Sequence, residues 1–183
     1  QEFKSLEELR EIAPSIFTKV GSENTSDKYT HIPTDQVIKD MELLGWGVVD
    51  AKEVKARKET TVGFQKHLVV FRNNDVVING EDGDTVFPQV LLTNSHDGKN
   101  SFQFTAGLFR MICENGLVIA TDTFEDIKIR HMGYDFSTLQ DTIKEMVEKL
   151  PLTVEAMNKM KDVELKEEQM LDLAKSFLNI RVE

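Results

Sequence analysis

At 183 residues, with 40% apolar and 30% charged side chains, the chain has a globular composition and enough length to bury a substantial core. Its net charge of −10 argues against indiscriminate binding of polyanions, and no apolar run approaches the roughly 20 residues that a bilayer-spanning helix needs. A single cysteine, Cys113, excludes an intrachain disulfide framework; with no leader peptide legible, a cytoplasmic protein without membrane contact is expected.

Ser5-Leu6-Glu7-Glu8 is a capping-box pattern, with Leu6, Leu9 and Ile12 at helical spacing and Pro14 near the stop. Residues 21–28 are polar and read as a loop. Thr34 is placed to cap a second helix with Val37, Ile38, Met41 and Leu44 on one face, and Gly45 ends it. From Trp46 the period changes. Trp46 to Lys58 alternates in places, with Lys55 and Arg57 on one face. Phe64 to Arg72 is apolar on both faces, as a central strand would be. Asn73-Asn74-Asp75 and Asn79 to Asp84 carry turn chemistry, the latter a hairpin tip that lacks EF-hand spacing. Phe87 to Thr93 and Phe102 to Phe109 read as strands joined through His96 to Asn100. Asn115-Gly116 between apolar runs is the strongest hairpin signal, and Asp126 to His131 closes the set of strands.

The last third is helical. Ser137-Thr138-Leu139-Gln140 is a second capping box, and Leu139, Ile143, Met146, Val147 and Leu150 form its apolar stripe. Pro151 is expected to break this helix, with helices over 153–162 and 166–179 following. The pattern predicts one α+β domain over residues 1–183, with a core at 34–150 and a helical extension at 151–183. A mainly antiparallel sheet of five or six strands would carry helices from both chain ends on one face.

Two sets of residues carry chemistry. His67, His96, Asp97 and His131 are imidazole and carboxylate ligands of the kind zinc or iron takes, three of them in or beside strands. No two histidines share a helical i, i+4 relation, so hydrogen-bonded structural histidines are the competing reading. In Asn94-Ser95-His96-Asp97-Gly98, successive side chains of an extended strand point to opposite faces, which disfavours a Ser/His/Asp triad; Asp97-Gly98 reads as a tight turn. Cys113 lies in an apolar strand and reads as a small hydrophobe. The second set is basic: Lys55, Arg57, Lys66, Arg72, Lys128 and Arg130 fall on predicted strands. They form either a ridge for a sugar-phosphate backbone or a solvated sheet face, with Trp46 as a stacking or core residue.

Several blocks act together: Ala13-Pro14-Ser15-Ile16-Phe17, Tyr29-Thr30-His31-Ile32-Pro33-Thr34, Leu44-Gly45-Trp46-Gly47-Val48-Val49, Lys66 to Arg72, Asn94 to Gly98, and Ala106 to Val118. Over roughly residues 12–150 the chain resembles the bacterial family labelled phage/plasmid-like protein, which implies a role in replication, recombination or host conflict of a mobile element. Over roughly residues 34–72 the order Val37-Ile38, Leu44-Gly45-Trp46-Gly47, hairpin, Phe64 to Arg72 is similar to ring-forming single-strand-annealing recombinases, which implies a basic groove for single-stranded DNA and a homo-oligomer. The expected function is therefore non-enzymatic binding of single-stranded nucleic acid, with no cofactor. The alternatives are a metal-dependent hydrolase or nuclease using the His/Asp set, and an adaptor that meets host proteins through its acidic helices.

Overall fold

The computed structural model describes residues 2–79, 85–111, 118–131, 135–161, 163 and 166–180. Ser5 caps the first helix as its spacing predicts. Its hydroxyl accepts from the Glu8 amide at 3.2 Å and the Glu8 carboxylate accepts from the Ser5 amide at 2.7 Å, so α1 runs Leu6–Ile12. Pro14 then starts a single 3-10 turn, Pro14–Phe17, that carries Ser15 and Ile16 into the interior. Helix α2, Thr34–Leu43, buries Val37, Ile38 and Met41. Thr34 does not cap it. Pro33 holds the N-cap position without a side-chain bond, and the Thr34 hydroxyl is occupied in the interior instead.

Five strands form one antiparallel sheet in the order β1-β2-β5-β6-β7: β1 (Gly47–Glu53), β2 (His67–Arg72), β5 (Gln89–Asn94), β6 (Phe102–Met111) and β7 (Val118–Ile129). Short β3 (Ile78–Asn79) and β4 (Thr85–Val86) pair separately. Strand β1 stops at Glu53, short of the expected Lys58, because β2 begins at His67 and supplies no partner beyond the bond from the Val54 amide to the Lys66 carbonyl at 2.9 Å. Lys55 and Arg57 consequently lie in the connection, off any strand. Strand β7 is longer than the expected 126–131 because β6 extends to Met111 and pairs with Val118. Cys113 and Asn115-Gly116 lie outside the described residues, as do residues 80–84 of the expected hairpin tip.

Helix α3 spans Phe136–Lys161 and passes through Pro151, which was expected to end it. The reason is tertiary. Val147, Leu150 and Val154 on either side of the exposed proline are all buried, so packing outweighs one lost backbone bond. The Asp135 carboxylate accepts from the Thr138 amide at 3.2 Å, a cap two residues before the expected Ser137. Helix α4 spans Glu167–Ile180.

The core lies between one sheet face and α1, α2 and α3. Alternate strand residues such as Val69, Phe71, Val90, Leu92, Phe102 and Phe104 meet Leu9, Ile38, Met41, Leu139, Ile143 and Val147 there. Trp46 is fully buried among them and is a core residue. A second, small apolar group of Val49, Leu68 and Val70 occupies the opposite face. The α+β class and the helix-covered face follow the expectation; no helix among the described residues is long and apolar enough to cross a membrane.

Candidate functional site

One end of the sheet gathers the chemistry. Glu53 and Ile129 end their strands there, as does Asn94, whereas His67 and Phe102 begin theirs, and the register aligns all five. His96 and His131 each follow two residues beyond the strand ends at Asn94 and Ile129. His31 arrives from the loop before α2. Four histidines distant in sequence thus meet, with the His31 and His96 ring centroids 4.6 Å apart and those of His67 and His96 5.3 Å apart. His131 stacks on Tyr29 at 5.1 Å.

His67 is the hub of a closed network. Its Nδ1 lies 2.8 Å from the Ser15 hydroxyl and 3.2 Å from the Gln65 carbonyl, and its Nε2 lies 2.8 Å from the Thr34 hydroxyl. The Asn94 amide donates to Thr34 Oγ1 at 2.9 Å and to the Ile32 carbonyl at 3.0 Å. A carbonyl only accepts, so the network assigns the proton to Nδ1. Thr34, itself a donor to Nε2, then accepts from Asn94 without conflict. Ser15, Asn94 and His67 are almost completely buried, which makes Ser15–His67 a structural pair closed to substrate.

The neighbouring polar atoms are different. Both ring nitrogens of His31 and of His96, together with His131 Nε2, Tyr29 Oη and Asp35 Oδ1, are buried without a hydrogen bond of normal geometry among the described residues, although backbone groups of Thr18 and Ser15 lie near enough to His31 and His96 to oppose the lowering of their pKa. Desolvation lowers the His67 pKa to about 4. It also lowers that of His96 to about 2, helped by the charges of His67, His31 and His131. His31 and His131 shift downward for the same leading reason, and the Tyr29 phenol is pushed up to about 12 by burial and by Asp97. All four imidazoles are therefore neutral at pH 7.

The loop after β5 is held from several directions. The His96 amide donates to the Phe64 carbonyl at 3.1 Å, and the Ser22 amide donates to the His96 carbonyl at 2.8 Å. Asp97 accepts from the Ser95 hydroxyl at 2.8 Å and from the Lys99 amide at 3.0 Å. Gly98, at φ +73°, lets the loop press on Thr25: a Cβ there would sit 3.1 Å from Thr25 Cγ2. Between this loop and the residue 24–29 segment lies an open cavity of about 460 Å³, whose lining includes Tyr29, Asp97, Lys99, Asn100, Arg130 and His131.

The expected metal set is brought together only in part. His67, His96 and His131 do meet, but both nitrogens of His67 are engaged. Among the described residues no group of three His, Cys, Asp or Glu side chains is arranged to hold a metal ion. His31 joins the cluster although it stood outside the expected set. The basic residues divide. Lys55, Arg57, Lys66, Lys128 and Arg130 are exposed at or beyond this same end of the sheet. Arg72 is at the other end, nearly buried, with Nε donating to Asn74 Oδ1 at 3.0 Å and its guanidinium 4.7 Å from the Phe87 ring centre. Lys99, unremarked in the sequence, belongs with the exposed group. Ser15 stood outside the expected site, and Asn94 was expected only within its own 94–98 cluster, because nothing in a one-dimensional pattern shows that both converge on the His67 network.

The family model described as "Domain of unknown function (DUF932)" matches residues 23–183. UPF0380 protein YafZ of Escherichia coli K12 is 32% identical over 127 residues, which take in 69% of this chain and 44% of that protein. UPF0380 protein YfjQ of the same strain is 31% identical over the same shares. The chain thus spans less than half the length of these relatives. No solved structure matches it.

Proposed function

We propose that this chain, which belongs to the DUF932 family of unknown function, binds single-stranded nucleic acid without catalysing a reaction on it, in the replication or recombination of a mobile element. One observation carries the binding reading: Lys128 near the end of β7, and Lys55, Arg57, Lys66, Lys99 and Arg130 in the segments that enter or leave the same end of the sheet, are all exposed. None of the six takes part in an ion pair among the described residues. At about 4.8 Å per strand the row reaches roughly 19 Å across five strands, a path along which a strand's phosphates meet several cations. The net charge of −10 is compatible because the acidic excess lies largely in residues 111–183, which hold nine Lys and Arg against fifteen Asp and Glu. The mobile-element setting draws on the sequence resemblance.

Titration of a labelled oligothymidylate by fluorescence anisotropy, over a range of salt, tests the reading. Replacing Arg57 and Arg130 by glutamine is expected to weaken binding and to flatten the slope of log K against log salt by about 1.4, at about 0.7 per lost phosphate contact. An unchanged slope, or no binding by the parent chain even at low salt, would overturn it.

A second reading, a metal-dependent hydrolase, is favoured by the unpartnered nitrogens of His31, His96 and His131. It requires these rings to turn on binding. Zinc or nickel added in stoichiometric amount is then expected to raise the melting temperature of the chelator-treated protein, and the gain should disappear in His96→Asn. No stoichiometric binding by calorimetry removes this reading.

A further inference from the structure

We infer that the cavity between the loop after β5 and the residue 24–29 segment is a seat for one nucleotide, held chiefly by its phosphate. The inference rests on the single-strand reading and names what that site grips most specifically. Its volume, about 460 Å³, falls in the range of small-ligand pockets and suits one nucleotide rather than a run of them. Its charge selects the ligand class. Lys99 and Arg130 line it, both exposed and neither ion-paired among the described residues. The third charged lining residue, Asp97, is already engaged by the Ser95 hydroxyl and the Lys99 amide of its own loop. The lining thus carries one net positive charge, which attracts a phosphate group and disfavours a cationic ligand. The imidazole of His131 is held neutral by burial and adds none.

The wall is organised before any ligand arrives. Asn100 Nδ2 donates to the Ser95 hydroxyl at 3.2 Å, so the residue 95–100 loop is tied internally by three side-chain bonds. His131 Nδ1 lies 3.0 Å from the Thr30 carbonyl, the Thr30 amide donates back to the His131 carbonyl at 3.0 Å, and Tyr29 stacks on the imidazole. A nucleotide would therefore meet a fixed wall carrying the partly buried Tyr29 ring, with its phosphate towards Lys99 and Arg130 and little ordering left to be done on binding.

The test uses the full chain and four probes: thymidine 5′-monophosphate, thymidine, inorganic phosphate and oligothymidylate. Calorimetry is expected to show the monophosphate binding at least tenfold more tightly than thymidine or phosphate. Arg130→Gln and Lys99→Glu should each weaken it tenfold or more while leaving the urea midpoint unchanged, since both side chains are exposed. Phosphate binding as tightly as the nucleotide would overturn the inference in favour of a simple anion site. Oligothymidylate binding without the monophosphate, or a monophosphate affinity indifferent to Arg130, would overturn it while leaving the strand reading intact. Monophosphate binding without oligothymidylate would uphold the seat and remove the strand reading.

Discussion

Acidification from pH 7 to pH 4 is expected to destabilise the fold steeply, beginning near pH 6.5, before carboxylates of ordinary pKa titrate. The cause is the buried histidine cluster. His67 has a folded-state pKa of about 4 and His96 of about 2, against 6.5 when exposed. Below pH 6.5 the unfolded chain takes up protons that the native state refuses, so stability falls as pH falls. Each such histidine contributes a slope of up to about 1.4 kcal/mol per pH unit, and His67 alone about 3 kcal/mol by pH 4. His31 and His131 act in the same direction. The groups facing the cluster, Asp35 paired with Lys19 and Asp97 within its own loop, do not reverse the sign. Global charge pushes the other way, because a chain at −10 loses self-repulsion on acidification. Urea midpoints measured from pH 7.5 to pH 5 with a chelator present decide the matter. Measured in high salt, which screens the global charge, a flat or rising midpoint would show that the four imidazoles are not buried neutral.

His67→Leu is expected to cost about 3 kcal/mol although it keeps the volume of the side chain nearly filled. Leucine accepts and donates nothing, so the hydroxyls of Ser15 and Thr34 would be left buried without their partner, at roughly 1–3 kcal/mol each. Asn94 retains its bond to the Ile32 carbonyl, which limits the damage. The diagnostic is the recovery. Adding Ser15→Ala to His67→Leu should restore about half of the loss, since the stranded Ser15 hydroxyl is then removed, whereas Thr34 stays because its oxygen accepts from Asn94. Urea unfolding of the single and double variants measures this directly. A double variant less stable than His67→Leu would mean that the Ser15 hydroxyl finds another partner and that the network is not closed.

Much of the fold was legible because local signals agreed with each other. The Ser5 capping box, the helical spacing of Val37, Ile38 and Met41, the two-faced apolar run from Leu68 to Phe71 and the stripe from Leu139 to Leu150 each predict an element that the structure contains. The errors fell where a partner overrides a local preference. Pro151 stays inside α3 because Val147, Leu150 and Val154 are buried around it. The Thr34 hydroxyl serves His67 rather than the helix amides. Strand β1 ends where β2 ceases to offer hydrogen bonds, which leaves Lys55 and Arg57 outside the sheet.

The class of the molecule, its helix and strand periods, its acidic balance and the residue types available for chemistry follow from local pattern, because each depends on composition or on neighbours a few positions apart. Which of those residues meet is set by tertiary pairing. Residues 31, 67, 96 and 131 are separated by tens of positions, and antiparallel register is what brings them, with Ser15 and Asn94, to one end of the sheet. The same register moved Arg72 to the far end and into the interior, while the loop after β5 brings Lys99 into the cavity that Arg130 also lines. Strand pairing fixes such distances through hydrogen bonds between segments remote in the chain, and no local pattern carries that information.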